Sequence, residues 1–230
     1  GADLLREDRA DVVVAGGYDV LCRFVMRGFD ALRSLTRDRV RPFDRRRSGL
    51  LLGEAAALML LVRPADAGGP GLGRLLGHAS VGDGSHIAAP DPDGGGLERA
   101  IRAALAQAGA GADAIEFVSA HGTGTPLNDR IEAAVLRRVL GARAAGVPVN
   151  SIKGGLGHTM GAAATLEAIM CLLASRHGLV PPTFGLEQPA ADCDLDHVRA
   201  AARAFRPRLS LSTSLGFGGC NAALVLEGGP

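Results

Sequence analysis

The chain has 230 residues, 47% of them hydrophobic, with 25 basic and 24 acidic side chains and a net charge of +1. Such a length holds one large domain or two small ones, and such a composition is that of a soluble globular chain. The near-neutral balance excludes a broadly electrostatic nucleic-acid binder.

The chain opens on Gly1 rather than Met, with no charged-then-apolar leader, which reads as a segment of something longer without a secretory signal. ADLLREDRADVVVAGG predicts the end of a helix, a Val-rich strand and a Gly-terminated turn. Phe24 to Leu35 has helical apolar spacing and leads into an Arg-rich connector, Arg33 to Arg47. Leu50 to Val62 is continuously apolar and predicts a buried strand, and the turn-rich stretch Ala65 to Gly73 marks an internal boundary.

Beyond it, RLLGHASVG predicts a strand and DGSHIAAPDPDGGG a loop. Leu97, Ile101, Leu105 and Ala108 share one helical face, closed by Gly109. A short strand, Ile115 to Ser119, runs into HGTGT. Asn128 or Asp129 is the expected cap of a helix reaching Leu140. Val147 to Ser151 predicts another strand, followed by a helix from Thr159 to His177. Its apolar stretch, Met160 to Ala174, is interrupted by Thr165 and Glu167 and falls short of the ~20 residues a membrane span needs, so it reads as a buried helix. The chain ends in a hairpin: LSLSTSL, a GFGGCN loop, AALVLE. The alternation of helix and strand patterns predicts an α/β fold around a largely buried sheet.

Two residue counts bear on chemistry. The four cysteines, Cys22, Cys171, Cys193 and Cys220, form no CxxC pair, which argues against a zinc site and for free thiols in a reducing cytoplasm. Lysine occurs once, at Lys153, against 24 arginines. Either this is a chance surface residue, or it is a site that needs a compact ammonium where a guanidinium does not fit.

Three glycine-bracketed elements stand at strand ends, where an α/β fold places ligands: HGTGTPLND from His121, SIKGGLGHTMGAAATLE from Ser151, and GFGG from Gly216. Each has a plain structural reading as a polar turn, a hydrogen-bonded histidine or a hairpin tip. Glu167 sits in an apolar helix, and a buried carboxylate needs a cation, for which Lys153 is the one lysine on offer.

In this order and spacing, the three elements resemble the condensing enzymes of the thiolase fold, the β-ketoacyl synthases of fatty acid and polyketide synthesis. ADVVVAGG, RPFDRRRSGLLLGE and DGSHIAAPDPDG look like the same family, so the likeness covers nearly the whole chain. It implies an α/β, thiolase-like fold in five layers, α-β-α-β-α. Residues 1–64 would be the end of the N-terminal half, and residues 65–230 the complete C-terminal half. The implied reaction is decarboxylative Claisen condensation of malonyl-carrier with an acyl thioester. Substrates ride on the phosphopantetheine of an acyl carrier protein, and neither cofactor nor metal is implied.

By the same resemblance His121, His158 and Lys153 are catalytic, with Glu132 and Glu167 supporting them. Thr123 and Thr125 bind pantetheine, and Phe217, between Gly216 and Gly218, is the gate and half of an oxyanion hole. The family's nucleophilic cysteine, at a helix N-terminus that lowers its pKa, would lie about ten residues before the position matching Gly1 and is absent from this chain. The chain alone is therefore expected to be inactive. The implied partners are an acyl carrier protein, the missing N-terminal half, and a second subunit in a homodimer or heterodimer.

Four positions depart from the family pattern: Leu215 for a Phe, Asn128 for a Gly, Ala164 for a Gly, and Ala88 for a hydroxyl residue. They resemble a divergent type II or polyketide-associated branch. The alternative is a non-catalytic partner subunit like a chain-length factor, against which both histidines are retained. The cluster Arg33, Arg37, Arg39, Arg41, Arg45, Arg46 and Arg47 is either a carrier-docking surface or a solvated face.

Overall fold

Side-chain alternation along the C-terminal hairpin sets the architecture. In β9 (Cys220–Gly228), Ala223 and Val225 point into one apolar cluster and Leu224 and Leu226 into another. A strand packed on both faces belongs in the middle of a layered fold. The structure, a computed structural model that describes residues 1–229, places β9 inside a five-stranded mixed sheet. The order is β3 (Gly73–Gly82), β9, β8 (Leu209–Gly216), β4 (Phe117–Ser119), β5 (Val149–Asn150). β8 runs antiparallel to β9 and parallel to β4, and β4 runs parallel to β5.

Helices α3 (Gly95–Ala108) and α4 (Pro126–Leu140) bury Leu97, Ile101, Ile131 and Val135 against Val118, Leu211 and Val225 on one face. Helix α6 (Ala163–His177) packs Ala168, Cys171 and Leu172 against Phe117 and Leu226 on the other. Its far side meets a two-stranded antiparallel ribbon, β1 (Val12–Asp19) and β2 (Ala55–Val62), through Met59. The order of layers is thus α-β-α-β. The shorter elements among the described residues include α1 (Ala2–Arg6), α2 (Arg23–Ala31), α5 (Lys153–Leu156), and a small β6 (Leu179–Val180) and β7 (Arg203–Ala204) pair.

Several expectations need correction. The Gly16–Gly17 pair does not end β1 in a turn but lies within the strand. A Cβ on Gly16 would meet the Ala57 carbonyl oxygen at 2.1 Å, and one on Gly17 the Gly161 carbonyl oxygen at 2.1 Å. These glycines permit close backbone approach rather than reversal. β2 is not buried on both sides: Leu58 and Leu60 are 66% and 68% exposed, beside Val14 at 65% and Tyr18 at 75% on β1. The ribbon packs only its other face, on α6. Helix α4 starts earlier than expected, with Thr125 at its N-cap and Pro126 first in the helix, so Asp129 lies inside the first turn.

The topology delivers all three motifs to one edge of the sheet. β4, β5 and β8 are mutually parallel, and their C-terminal ends run into His121, Ser151 and Phe217 respectively.

Candidate active site

His121 follows β4 and is 6% exposed. Its own N–H and that of Gly122 donate to the two carboxylate oxygens of Glu132, at 2.7 and 2.8 Å, and Thr213 Oγ1 donates to Glu132 Oε1 at 2.7 Å. Glu132 therefore clamps the backbone that carries His121 without touching the imidazole. Burial raises its pKa, against the pull of these donors and of Lys153. Lys153 opens α5 (Lys153–Leu156) one residue beyond the loop that leaves β5. Its Nζ donates to His121 Nδ1 at 3.3 Å and forms a short ion pair with Glu167 Oε1 from α6. The cation that buried Glu167 needs is thus the one lysine of the chain. Burial, working against that neighbouring charge, raises the Glu167 carboxyl to about 7.

His158 stands across from His121, the ring centroids 5.3 Å apart at 80°. Its strand-like neighbour segment fixes it by two bonds: His158 N–H donates to the Leu51 carbonyl at 2.7 Å, and Gly53 N–H to the His158 carbonyl at 2.9 Å. The Met160 N–H donates to His158 Nδ1 at 3.2 Å. Both Nδ1 atoms therefore accept, which puts the proton of each neutral ring on Nε2. Burial, then the Lys153 charge, pushes His121 well below its ordinary value, with His158 adding to the effect. The same two causes, in the same order, bring His158 to about 3. Both imidazoles are neutral donors at neutral pH.

Both rings line one cavity of about 590 Å³. Thr123 and Thr125, their hydroxyls 2.9 Å apart, line it as well, as do Gly216 and Phe217. Phe217 is half exposed and stacks on Phe29 of α2, centroids 5.4 Å apart, so the gate candidate rests against an element far off in sequence. Gly218, at φ +76°, takes a conformation open to glycine, and its N–H donates to the Ile87 carbonyl at 2.9 Å. The four departures from the family pattern cluster here too: Ala88, Asn128, Ala164 and Leu215 all line the cavity.

None of the four cysteines does. Cys171 and Cys193 are buried, and burial pushes both thiols up, Cys193 to about 12. Cys22 and Cys220 are exposed, with Cys22 capping α2 by accepting from the Val25 N–H at 3.5 Å. No group of metal-ligating side chains assembles among the described residues.

Sequence reasoning missed three parts. Asp129, fully buried, accepts from the Phe43 N–H at 2.7 Å and the Gly124 N–H at 3.2 Å, tying the HGTGT loop to the Arg-rich connector. Phe43, buried at φ +63° and facing His197, plugs that connector into the C-terminal core. Ser151 joins two of the motif loops by donating to the Gly122 carbonyl. An acidic residue beside a predicted helix start is the one signal the sequence holds, and it resembles an N-cap.

The arginine cluster does not form a single free surface. Arg41 pairs with Asp38, Arg46 with Glu187, and Arg47 donates to both carboxylate oxygens of Asp192 at 3.0 and 2.9 Å. Buried Asp44 accepts from the Arg46, Glu187 and Gln188 N–H groups, pinning the connector down as a strap. Among the described residues, Arg33, Arg37 and Arg45 remain exposed without a carboxylate partner.

Parallel strands bring two neutral imidazoles to one cavity, with buried Lys153 directly behind His121, within stacked α/β layers of the thiolase-like class. The comparisons agree. The β-ketoacyl synthase C-terminal domain matches residues 72–187 and the β-ketoacyl synthase N-terminal domain residues 1–67. The chain is 41% identical over 98% of its length to the tetracenomycin polyketide synthase ketoacyl synthase alpha subunit of Streptomyces glaucescens, covering 55% of that protein. It is 39% identical to nodulation protein E of Rhizobium meliloti, over 98% of this chain and 57% of that one. Among solved structures, the ishigamide ketosynthase/chain length factor superposes with a TM-score of 0.92 at 39% identity, over 99% of this chain and 56% of that one.

The chain belongs to the β-ketoacyl synthase family. It spans about half the length of the curated relatives it matches.

Proposed function

We propose that this chain carries the decarboxylating half of a β-ketoacyl-[acyl carrier protein] synthase site, in fatty acid or polyketide synthesis. The convergence of two Nε2–H donors on one thioester-sized cavity supports this reading. A malonyl thioester bound there loses carbon dioxide by breaking its bond to the carboxylate. The electron pair passes to the α-carbon and on to the thioester oxygen, where His121 and His158 donate hydrogen bonds to the developing charge. Because both rings are neutral and already anchored at Nδ1, little reorganisation accompanies that step. The α-carbon then attacks the acyl thioester, whose carbon–sulfur bond breaks as the sulfur leaves as thiolate. The Phe217 N–H stabilises the tetrahedral oxyanion formed between attack and departure.

Lys153 and Glu167 hold His121 in register, Glu132 holds its backbone, and Thr123 and Thr125 bind the pantetheine arm. We assign no cofactor and no metal, since the imidazole donors meet the charge that forms. The nucleophilic thiol and the layer that covers the β1–β2 ribbon come from the N-terminal ketosynthase half, residues 1–64 being the end of that half and 65–230 the C-terminal half. The assembled enzyme is a cytoplasmic homodimer or heterodimer served by an acyl carrier protein. Retention of both histidines in one cavity, with Lys153 bonded to His121 behind it, favours this over a chain-length-factor-like subunit.

The test is carbon dioxide release from malonyl-carrier by the complete ketosynthase containing this segment. Release lost in His121→Ala and in His158→Ala supports the reading. A correctly assembled protein that releases none overturns it in favour of the partner-subunit alternative.

A further inference from the structure

The HGTGT loop and the SIKGG loop come from neighbouring strands, and Lys153 of the second reaches His121 of the first at 3.3 Å. A buried residue at the head of the second loop, outside the catalytic set, bonds to the backbone of both. Ser151 is fully buried and follows β5 directly. Its Oγ donates to the Gly122 carbonyl at 2.7 Å and accepts the Lys153 N–H at 3.3 Å. Its own N–H donates to Thr183 Oγ1 at 3.0 Å, and Thr183 N–H donates to the Val198 carbonyl at 2.8 Å, so the hydroxyl is mounted on a fixed wall.

The Gly122 peptide is thereby gripped from both ends, its N–H by Glu132 and its carbonyl by Ser151. Gly122 sits at φ +38°, and a Cβ there would lie 2.6 Å from the Ser151 Cβ, so the two loops touch with nothing between them. A closed circuit results: Ser151 Oγ to the Gly122 backbone, to the His121 ring, to Lys153 Nζ, and through the lysine back to Ser151.

We propose that Ser151 is a positioning residue that sets the distance between His121 and Lys153 in the decarboxylation step. This rests on the condensing-enzyme reading above. With the hydroxyl removed, the buried Gly122 carbonyl loses its donor and the two loops lose their shared fixed point. His121 then moves relative to Lys153, while the cavity wall that binds the carrier arm stays in place.

The experiment is malonyl-carrier decarboxylation by the complete ketosynthase, comparing wild type with Ser151→Ala and Thr183→Val. The expected kcat for Ser151→Ala is about 10- to 100-fold lower at unchanged KM, the scale on which sub-ångström misplacement acts. Thr183→Val is expected to fall in the same direction by less. A second readout separates positioning from mere stability. The charged or titratable groups around His121 are Lys153, His158, Glu132 and Glu167. As Lys153 recedes, His121 is protonated more easily, so the acid limb of the pH–rate profile shifts to higher pH.

A lowered melting temperature with unchanged kcat and an unmoved acid limb in both variants overturns the proposal and leaves Ser151 a packing residue. A wild-type enzyme that does not decarboxylate at all instead overturns the condensing-enzyme reading, so the two failures are distinct.

Discussion

Lys153 Nζ lies 3.3 Å from His121 Nδ1 across 32 residues of sequence. That contact converts a buried ion pair into an electrostatic device. The ammonium is held by Glu167, and its charge in turn disfavours a second proton on His121. The imidazole is kept as a hydrogen-bond donor rather than a cation, which suits stabilisation of an enolate oxygen.

Removing the lysine is expected to cost more than activity. Lys153→Met leaves Glu167, 1% exposed and with one oxygen already lacking a partner, as an uncompensated buried carboxylate. A destabilisation of about 3–5 kcal/mol in urea unfolding is expected, and the double variant Lys153→Met/Glu167→Met should regain much of it. Lys153→Arg should not restore decarboxylation, since a planar fork cannot replace a single Nζ between His121 and Glu167. Full activity in Lys153→Arg would count against the geometry.

The histidines give the stability a sign with pH. His158 is held near 3 in the folded state by burial and by Lys153, against 6.5 for the free side chain. Between those values the unfolded chain binds the proton and the folded one does not. Its contribution is present above pH 6.5 and is lost as pH falls toward 3. Glu167, raised from 4.5 to about 7, acts oppositely and favours the folded state at the lower end of its range. The diagnostic is therefore a difference: His158→Asn should lose less stability than wild type between pH 6.5 and 4. Parallel unfolding curves for the two proteins would contradict the buried, neutral assignment.

The arginines separate by their partners. Arg33→Glu/Arg37→Glu changes two exposed charges that have no carboxylate partner among the described residues and is expected to raise KM for the carrier-bound substrate while leaving the melting temperature nearly unchanged. Arg47→Ala removes bonds to the partly exposed Asp192 carboxylate and the Pro126 carbonyl and is expected to destabilise by about 1 kcal/mol or less. A KM unaffected by the first pair would remove Arg33 and Arg37 from carrier docking.

The outer face of the β1–β2 ribbon predicts the behaviour of the isolated chain. Val14, Tyr18, Leu58 and Leu60 form a contiguous exposed apolar face on two strands, a surface prone to association. The 230-residue chain alone is expected to self-associate in light scattering, and Val14→Thr/Leu58→Thr/Leu60→Thr to do so less. A monodisperse, cooperatively melting wild-type monomer would show that the face needs no cover.

The α/β class, the helix over Leu97–Ala108 closed by Gly109, the terminal hairpin and the three motif loops were legible in sequence, because local periodicity and turn chemistry act over a few residues. So was the pairing of Glu167 with Lys153, since a buried carboxylate demands a cation and the chain holds one lysine. Other features were settled only by contacts between distant segments. Gly16–Gly17 resembles a turn until Ala57 and Gly161 press against it. Asp129 resembles a helix cap until Phe43 arrives from 86 residues away to claim its oxygen. The strap of arginines resembles a free basic patch until Asp192 and Glu187 neutralise part of it. Local preference belongs to each segment by itself, whereas the roles of Ser151, Asp129 and Phe29 arise from distances between segments, which the packing of the loops after β4, β5 and β8 against the connector and α2 brings within hydrogen-bonding and stacking range.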